Sequence, residues 1–128
     1  MEQRLTSKAE SASDFPDMAH LAAVAEGTSE VCRALSNPQR LRMLCALSAG
    51  ACCVSELEEQ LGMSQAYVSG QLARMRAEGL VTSARNGRQM LYSIADIRVT
   101  VVLAGLAAAV QAVSAQDQPR DQHDQPEE

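Results

Sequence analysis

Four cysteines, Cys32, Cys45, Cys52 and Cys53, are the residues of this chain best suited to chemistry, and their surroundings sort them into two groups. Cys32 and Cys45 fall on apolar stripes with helical spacing, where a reduced cysteine commonly serves as small core filler. Cys52 and Cys53 follow Gly50 in a connection and precede an amphipathic stretch, "GACCVSELEEQLG" (residues 50–62). The unpaired N–H groups of a helix start favour thiolate, and Glu56, Glu58 and Glu59 oppose it. Thiols so placed are open to a disulfide, to a persulfide bridge reaching Cys45, or to a soft-ion site made by Cys45, Cys52 and Cys53. Cys32 is expected in the core.

Other reactive groups are scarce. The chain contains no glycine-rich phosphate loop, and its two histidines, His20 and His123, lie in opposite flanks with no catalytic partner arrangement. We therefore expect no enzyme and no cofactor. The formal charge of −5 is carried by the ends: residues 1–17 hold four acids against two bases, and 115–128 hold five against one. Residues 18–114 are left at +1, and Arg74, Arg76, Arg85, Arg88 and Arg98 cluster between 64 and 98 against only Glu78 and Asp96. A polyanionic partner is compatible with that local balance.

The elements that must position these groups read as mainly helical. Aromatic residues are nearly absent while Ala, Leu, Val and Met abound, which favours helices over a sandwich or barrel. Leu21, Val24, Ala25, Thr28, Val31, Cys32 and Leu35 share one face of a first helix, and Leu41, Leu44, Cys45 and Ser48 one face of a second that opens at Pro38 and stops at Gly50. Ser55 and Glu58 have the spacing of a capping box for a short third helix with Val54, Leu57 and Leu61 inward, ending at Gly62. Ser64 caps a fourth helix running to Glu78, with Val68, Leu72 and Met75 inside and Gly79 as its stop. The period then changes to two around Asn86-Gly87, a hairpin signal flanked by Leu80–Thr82 and Met90–Ile94. A last helix from about Asp96 to Ser114 is apolar nearly all round, more than a small monomer can bury, and is expected to pack on a second subunit.

The apolar run at 99–113 is alanine-rich, contains Gln111 and falls short of the ~20 residues of a membrane span. With no apolar signal core at the N-terminus, a cytoplasmic protein with reduced cysteines and no membrane partner is expected. Residues 1–16 read as a flexible arm, 17–114 as the folded domain and 115–128 as a disordered acidic tail.

Two short helices joined by Gly62-Met63-Ser64, the second followed by a basic hairpin, match a helix-turn-helix with a wing. The outer face of the fourth helix offers Ser64, Gln65, Ala66, Tyr67, Ser69, Gln71 and Arg74 to a major groove. Gln, Ser and Arg hydrogen-bond base edges, and Ala66 or the Tyr67 ring can touch thymine methyls. Arg85 and Arg88 straddle the wing tip, where phosphates or a minor groove would lie. The plainer readings are a solvated polar face, and a Tyr67 that is partly core.

"ALSNPQRLRMLCALSAG", "VSELEEQLGMSQAYVSGQLARMRAEGLV" and "RNGRQMLYSI", in that order, resemble successive landmarks of the ArsR/SmtB family of dimeric winged-helix repressors. The likeness covers residues 20 to 110. It implies a homodimer joined through the first and last helices, an inverted-repeat DNA operator and release of DNA by an inducer. "RLRMLCAL", "LARMRAEGL" and "LYSI" place it nearest the sulfide- and redox-responsive branch. That branch pairs a cysteine of the second helix, matched by Cys45, with one near the end of the last helix, where this chain has Gln111. The family's CxC metal motif is matched only at Cys53, since Ser55 stands in the second position, and the last helix lacks the histidines of the zinc sensors. A repressor released by reactive sulfur species or oxidants through Cys45, Cys52 and Cys53 is therefore expected. An arsenite- or metal-responsive repressor using the same three thiolates is the alternative, and a helical interaction module is the non-regulator alternative.

Overall fold

Asp17 opens the folded chain by accepting the His20 amide at 3.0 Å, which satisfies one of the N–H groups a helix start leaves unpaired. The structure, a computed structural model, describes residues 16–117 and divides at Pro38 into two units. In the first, α1 (Met18–Ala23) and α2 (Ala25–Ala34) meet at Val24, whose φ of −111° and ψ of 29° leave the helical region. The single first helix read from the sequence is thus two. The joint is hydrogen-bonded: the Val24 amide reaches the carbonyls of both His20 and Leu21 at 3.2 Å, and Thr28 Oγ1 donates to the Val24 carbonyl at 2.9 Å. Val31, Ala34 and Leu35 are buried, whereas Leu21, Val24 and Cys32 are exposed. Cys32 is one 100° step from Val31, and that step turns it off the buried stripe, so it is not the core residue expected.

The second unit starts with α3 (Pro38–Ser48), with Pro38 in its first turn as expected. Its inward stripe is Met43, Leu44 and Leu47. The expected stripe was rotated away from this one, and the thiol of Cys45 consequently faces solvent. α4 (Val54–Leu61) buries Leu57 and ends at Gly62, whose φ of +67° is the left-handed conformation that favours glycine. α5 (Gln65–Ala77) buries Val68, Leu72 and Met75 and stops where expected, with Gly79 at φ +81°. The Gly79 amide bonds the Arg76 carbonyl at 3.0 Å and the Leu80 amide the Met75 carbonyl at 2.9 Å, the two bonds of a Schellman end.

β1 (Val81–Asn86) and β2 (Gln89–Ile94) pair antiparallel from Val81↔Ile94 to Asn86↔Gln89. The loop is Gly87-Arg88, with Gly87 at φ +67° and Arg88 at negative φ, the signs of a type II′ turn. α6 (Ile97–Asp117) follows Asp96, whose carboxylate accepts the Arg98 amide at 2.9 Å. The helix runs past the expected end at Ser114, so residues 115–117 of the expected tail are helical. The rest of that tail, and residues 1–15 of the expected arm, lie outside the described residues.

Met43, Leu44, Leu57, Val68, Leu72, Met75 and Val99 are fully buried and form the centre of this unit. Burial of each such side chain contributes about 1.5–3 kcal/mol, so the core fixes α5 against α3 and α4. α6 is different: only Val99 and Leu103 are buried, while Ile97, Val101, Leu106, Val110 and Val113 are exposed. By length and composition alone it is also long and apolar enough to cross a membrane, longer than the 99–113 run the sequence marks out.

Candidate DNA-reading surface and the cysteine pair

α5 is aimed by its two ends and its buried stripe. Ser64 Oγ accepts the Tyr67 amide at 3.2 Å, fixing where the helix begins, and Val68, Leu72 and Met75 fix its rotation. With 100° per residue, the direction opposite that stripe is occupied by Ala66, Gly70, Ala73, Arg74 and Ala77. Ser64, Gln65, Ala66 and Arg74 are exposed, while Tyr67, Ser69 and Gln71 are half-buried on the flanks. Six of the sequence-marked positions are therefore on α5 and a seventh, Ser64, caps it, but they are unequal in reach. Gly70 and Ala73 were missed, although the helical period marks them as surely as Ala66. Beyond α5, Arg85 near the end of β1 and Arg88 in the turn are both exposed.

The cysteine pair is not an open connection. Cys52 forms an isolated bridge with Tyr92: its amide donates to the Tyr92 carbonyl at 3.0 Å and its carbonyl accepts the Tyr92 amide at 2.8 Å. Since Tyr92 also pairs with Ser83, Cys52 adds one rung to the sheet. Both cysteines are 6% exposed. Burial pushes the Cys52 thiol up from its ordinary value, and the nearby Glu56 and Cys53 push in the same direction. The Cys52 Sγ lies 3.5 Å from the Gly50 carbonyl as donor.

Cys53, with Ser55 not in that role, is the N-cap of α4. Its Sγ accepts the Glu56 amide, and its own amide donates to Glu56 Oε1 at 2.9 Å, so the capping box is Cys53/Glu56 where Ser55/Glu58 was expected. The Cys53 amide holds the Glu56 carboxyl below the ordinary carboxylate range, helped by the thiol. Cys53 Sγ and Ser55 Oγ are 3.2 Å apart and share a hydrogen bond. Beside them an open cleft of about 290 Å³ is lined by Cys53, Val54, Ser55, Gln89, Met90 and Tyr92.

The three thiols of the alternative soft-ion site are not gathered: among the described residues no three His, Cys, Asp or Glu side chains come together as a metal site. Cys45 is on the surface and the pair is in the core. His123 lies outside the described residues.

Two helices joined by a glycine turn, the second presenting a polar outer face, and a hairpin tipped with arginines define a winged helix-turn-helix DNA-binding regulator. Residues 37–83 match the family of bacterial regulatory proteins of the arsR type. The chain is 40% identical over 91 residues to the HTH-type transcriptional regulator YgaV of Escherichia coli K12, covering 70% of this chain and 92% of that one. The crystal structure of the transcriptional repressor BigR from Xylella fastidiosa superposes with a TM-score of 0.67 at 29% identity, over 73% of this chain and 95% of that one. A homodimeric winged helix-turn-helix domain from Mycobacterium bovis, solved in solution, gives 0.64 at 26% identity over 77% and 91%. The protein belongs to the ArsR family.

Proposed function

We propose that the protein is a homodimeric repressor that reads an inverted-repeat operator and leaves it when its thiols react with reactive sulfur species or oxidants. One observation carries the DNA reading: α5 turns a face of small and hydrogen-bonding residues outward, with exposed arginines on the adjoining hairpin. In that reading Gln65, Ser69, Gln71 and Arg74 meet base edges, with Ala66 and Tyr67 against methyl groups. Ser64, Arg85 and Arg88 hold the backbone or the minor groove.

The exposed apolar residues of α6 support a second copy as its cover. The M. bovis relative is homodimeric, and a two-fold pair would set its recognition helices about 34 Å apart, the spacing of an inverted repeat. A membrane would cover the same residues, but it would leave the neighbouring DNA-reading surface without a use for the two-fold pairing.

The thiols enter unequally. Cys45 is accessible to a reagent; Cys52 and Cys53 are coupled to the wing and to the first helix of the helix-turn-helix, so their reaction disturbs both. The test has two stages. Duplexes selected from a random pool should contain an inverted repeat and bind with an affinity that falls steeply with salt. Organic persulfide or peroxide should then weaken that binding, and Cys45→Ser, Cys52→Ser or Cys53→Ser should blunt the response. A triple serine variant that still responds would overturn the assignment to these three thiols and leave the DNA reading standing.

A further inference from the structure

We propose that Arg40 and Glu78 form a strut that sets the aim of the recognition helix, making both of them positioning residues for operator binding although neither faces the DNA-reading surface. The proposal rests on α5 being that helix. Arg40 occupies an unexpected place: at positions 40, 43, 44 and 47 the helical spacing puts it on the same stripe as Met43, Leu44 and Leu47, the buried face of α3. A charge on such a face is costly unless paired. Its guanidinium donates to Glu78 Oε1 at 2.7 Å, with the Arg40 side chain 15% exposed and Glu78 50% exposed.

Glu78 is equally out of place by itself. It is the C-cap of α5, where the unpaired carbonyls make the helix end negative and a carboxylate is the disfavoured charge. An acid there also opposes a polyanion. Both anomalies have one account: the two misfit charges meet across 38 positions of sequence and tie the first turn of α3 to the last turn of α5. The N-terminal end of α5 is joined to α4 through the short turn Gly62-Met63-Ser64, so the strut acts on the far end, where the helix is freest to tilt about that joint. A tilt about that end moves Arg74 far more than Gln65, because displacement grows with distance from the pivot.

The sign of one substitution separates this from the plain electrostatic view. Removing the Glu78 charge lessens repulsion of DNA and should tighten binding if Glu78 acts only through its charge. As part of the strut, Glu78→Gln should instead weaken it. The experiment compares Arg40→Gln, Glu78→Gln, the double variant and the exchanged pair Arg40→Glu/Glu78→Arg. Each is titrated with the duplex selected by the wild-type protein and with a scrambled duplex, across salt concentrations. Each single variant should bind the selected duplex about tenfold more weakly, and the double variant no more weakly than either. The salt slope should be unchanged, because no phosphate contact is lost, and affinity for the scrambled duplex should shift only by the small effect of the altered net charge. The exchanged pair should recover most of the discrimination between duplexes.

Amide hydrogen exchange without DNA provides the independent readout. Exchange at Glu78, Gly79 and Leu80 should quicken in both single variants, since those amides close the end of α5. Unaltered exchange would overturn the strut whatever the DNA result. Quickened exchange in the variants, beside a wild-type protein with no preference for any duplex, would leave the strut and remove the DNA reading. A loss confined to Arg40→Gln, with a shallower salt slope, would make Arg40 a phosphate contact and refute the proposal.

Discussion

Replacing Cys53 by alanine should destabilise the fold and replacing it by serine should not, because the thiol is a helix cap before it is a reagent. Alanine removes the acceptor that Cys53 Sγ offers to the Glu56 amide and the partner of Ser55 Oγ. Loss of an N-cap side chain costs about 1 kcal/mol, and the void left by a buried sulfur adds to it, so a total of about 1–2 kcal/mol is expected. Serine keeps an oxygen acceptor at the same place and is among the preferred caps, with both partners still present for its hydroxyl. Cys53→Ser should therefore lie within about 0.5 kcal/mol of the parent. In urea, with m of about 2 kcal/mol/M, the alanine variant should shift the midpoint down by about 0.5–1 M. Both variants must be compared at one protein concentration, since association adds to apparent stability. Equal midpoints for alanine and serine would refute the cap. The serine variant then tests sensing cleanly, as it removes the thiol without removing the structure.

Native-state alkylation followed by mass spectrometry should label Cys32 and Cys45 well before Cys52 and Cys53, whose burial and, for Cys52, raised pKa withhold the thiolate; early labelling at Cys52 would contradict the sheet rung. Glu56 has a lowered pKa in the folded chain, so its contribution is present above the ordinary carboxylate pKa and is lost as pH falls through the lower folded value. Glu56→Gln should flatten that acid limb of a stability profile, and an unchanged limb would count against the Cys53 bond. Ser83 Oγ is buried with no hydrogen-bond partner, so Ser83→Ala should be neutral or stabilising by about 1 kcal/mol in chemical denaturation, and a clear loss would reveal a partner. Arg85→Ala with Arg88→Ala should lower affinity for selected and scrambled duplexes alike and reduce the salt slope by about 2 if both touch phosphate; Gln71→Ala, from a half-buried flank, should cost less than Arg74→Ala.

Where local signals were sharp, the sequence predicted the structure closely. Ser64 before α5, the Val68/Leu72/Met75 stripe, the Gly79 stop and the Asn86-Gly87 hairpin each have a short-range cause, and each is found. The rotation of α3 was missed for the opposite reason. Leu41, Met43, Leu44, Cys45 and Leu47 spread over more than half of that helix, so its apolar residues do not name a narrow face, and only the packing of Met43, Leu44 and Leu47 does. Val24 carries no breaker that would mark the end of α1. Choosing Ser55 as the cap followed residue preference, whereas the thiol of Cys53 fills that role one turn before Leu57 enters the core. The Cys52 rung and the Arg40–Glu78 pair join residues about forty positions apart, and no local pattern announces either. Of the candidate site, then, the reading helix and wing were legible, and the burial of the cysteine pair was not.

The rung between Cys52 and Tyr92 has a mechanical meaning. Together with the bond from the Ala95 amide to the Leu80 carbonyl at 2.8 Å, it clamps the hairpin at its root and leaves the stretch beyond Leu91 and Ala84 overhanging. Such a beam is stiff where it is anchored and compliant at its tip, so in the proposed complex with DNA Arg85 and Arg88 would follow the uneven course of a phosphate backbone while the root keeps its angle. Cut the rung and the beam lengthens: its tip would sweep a wider volume, and gripping any one groove would cost more entropy.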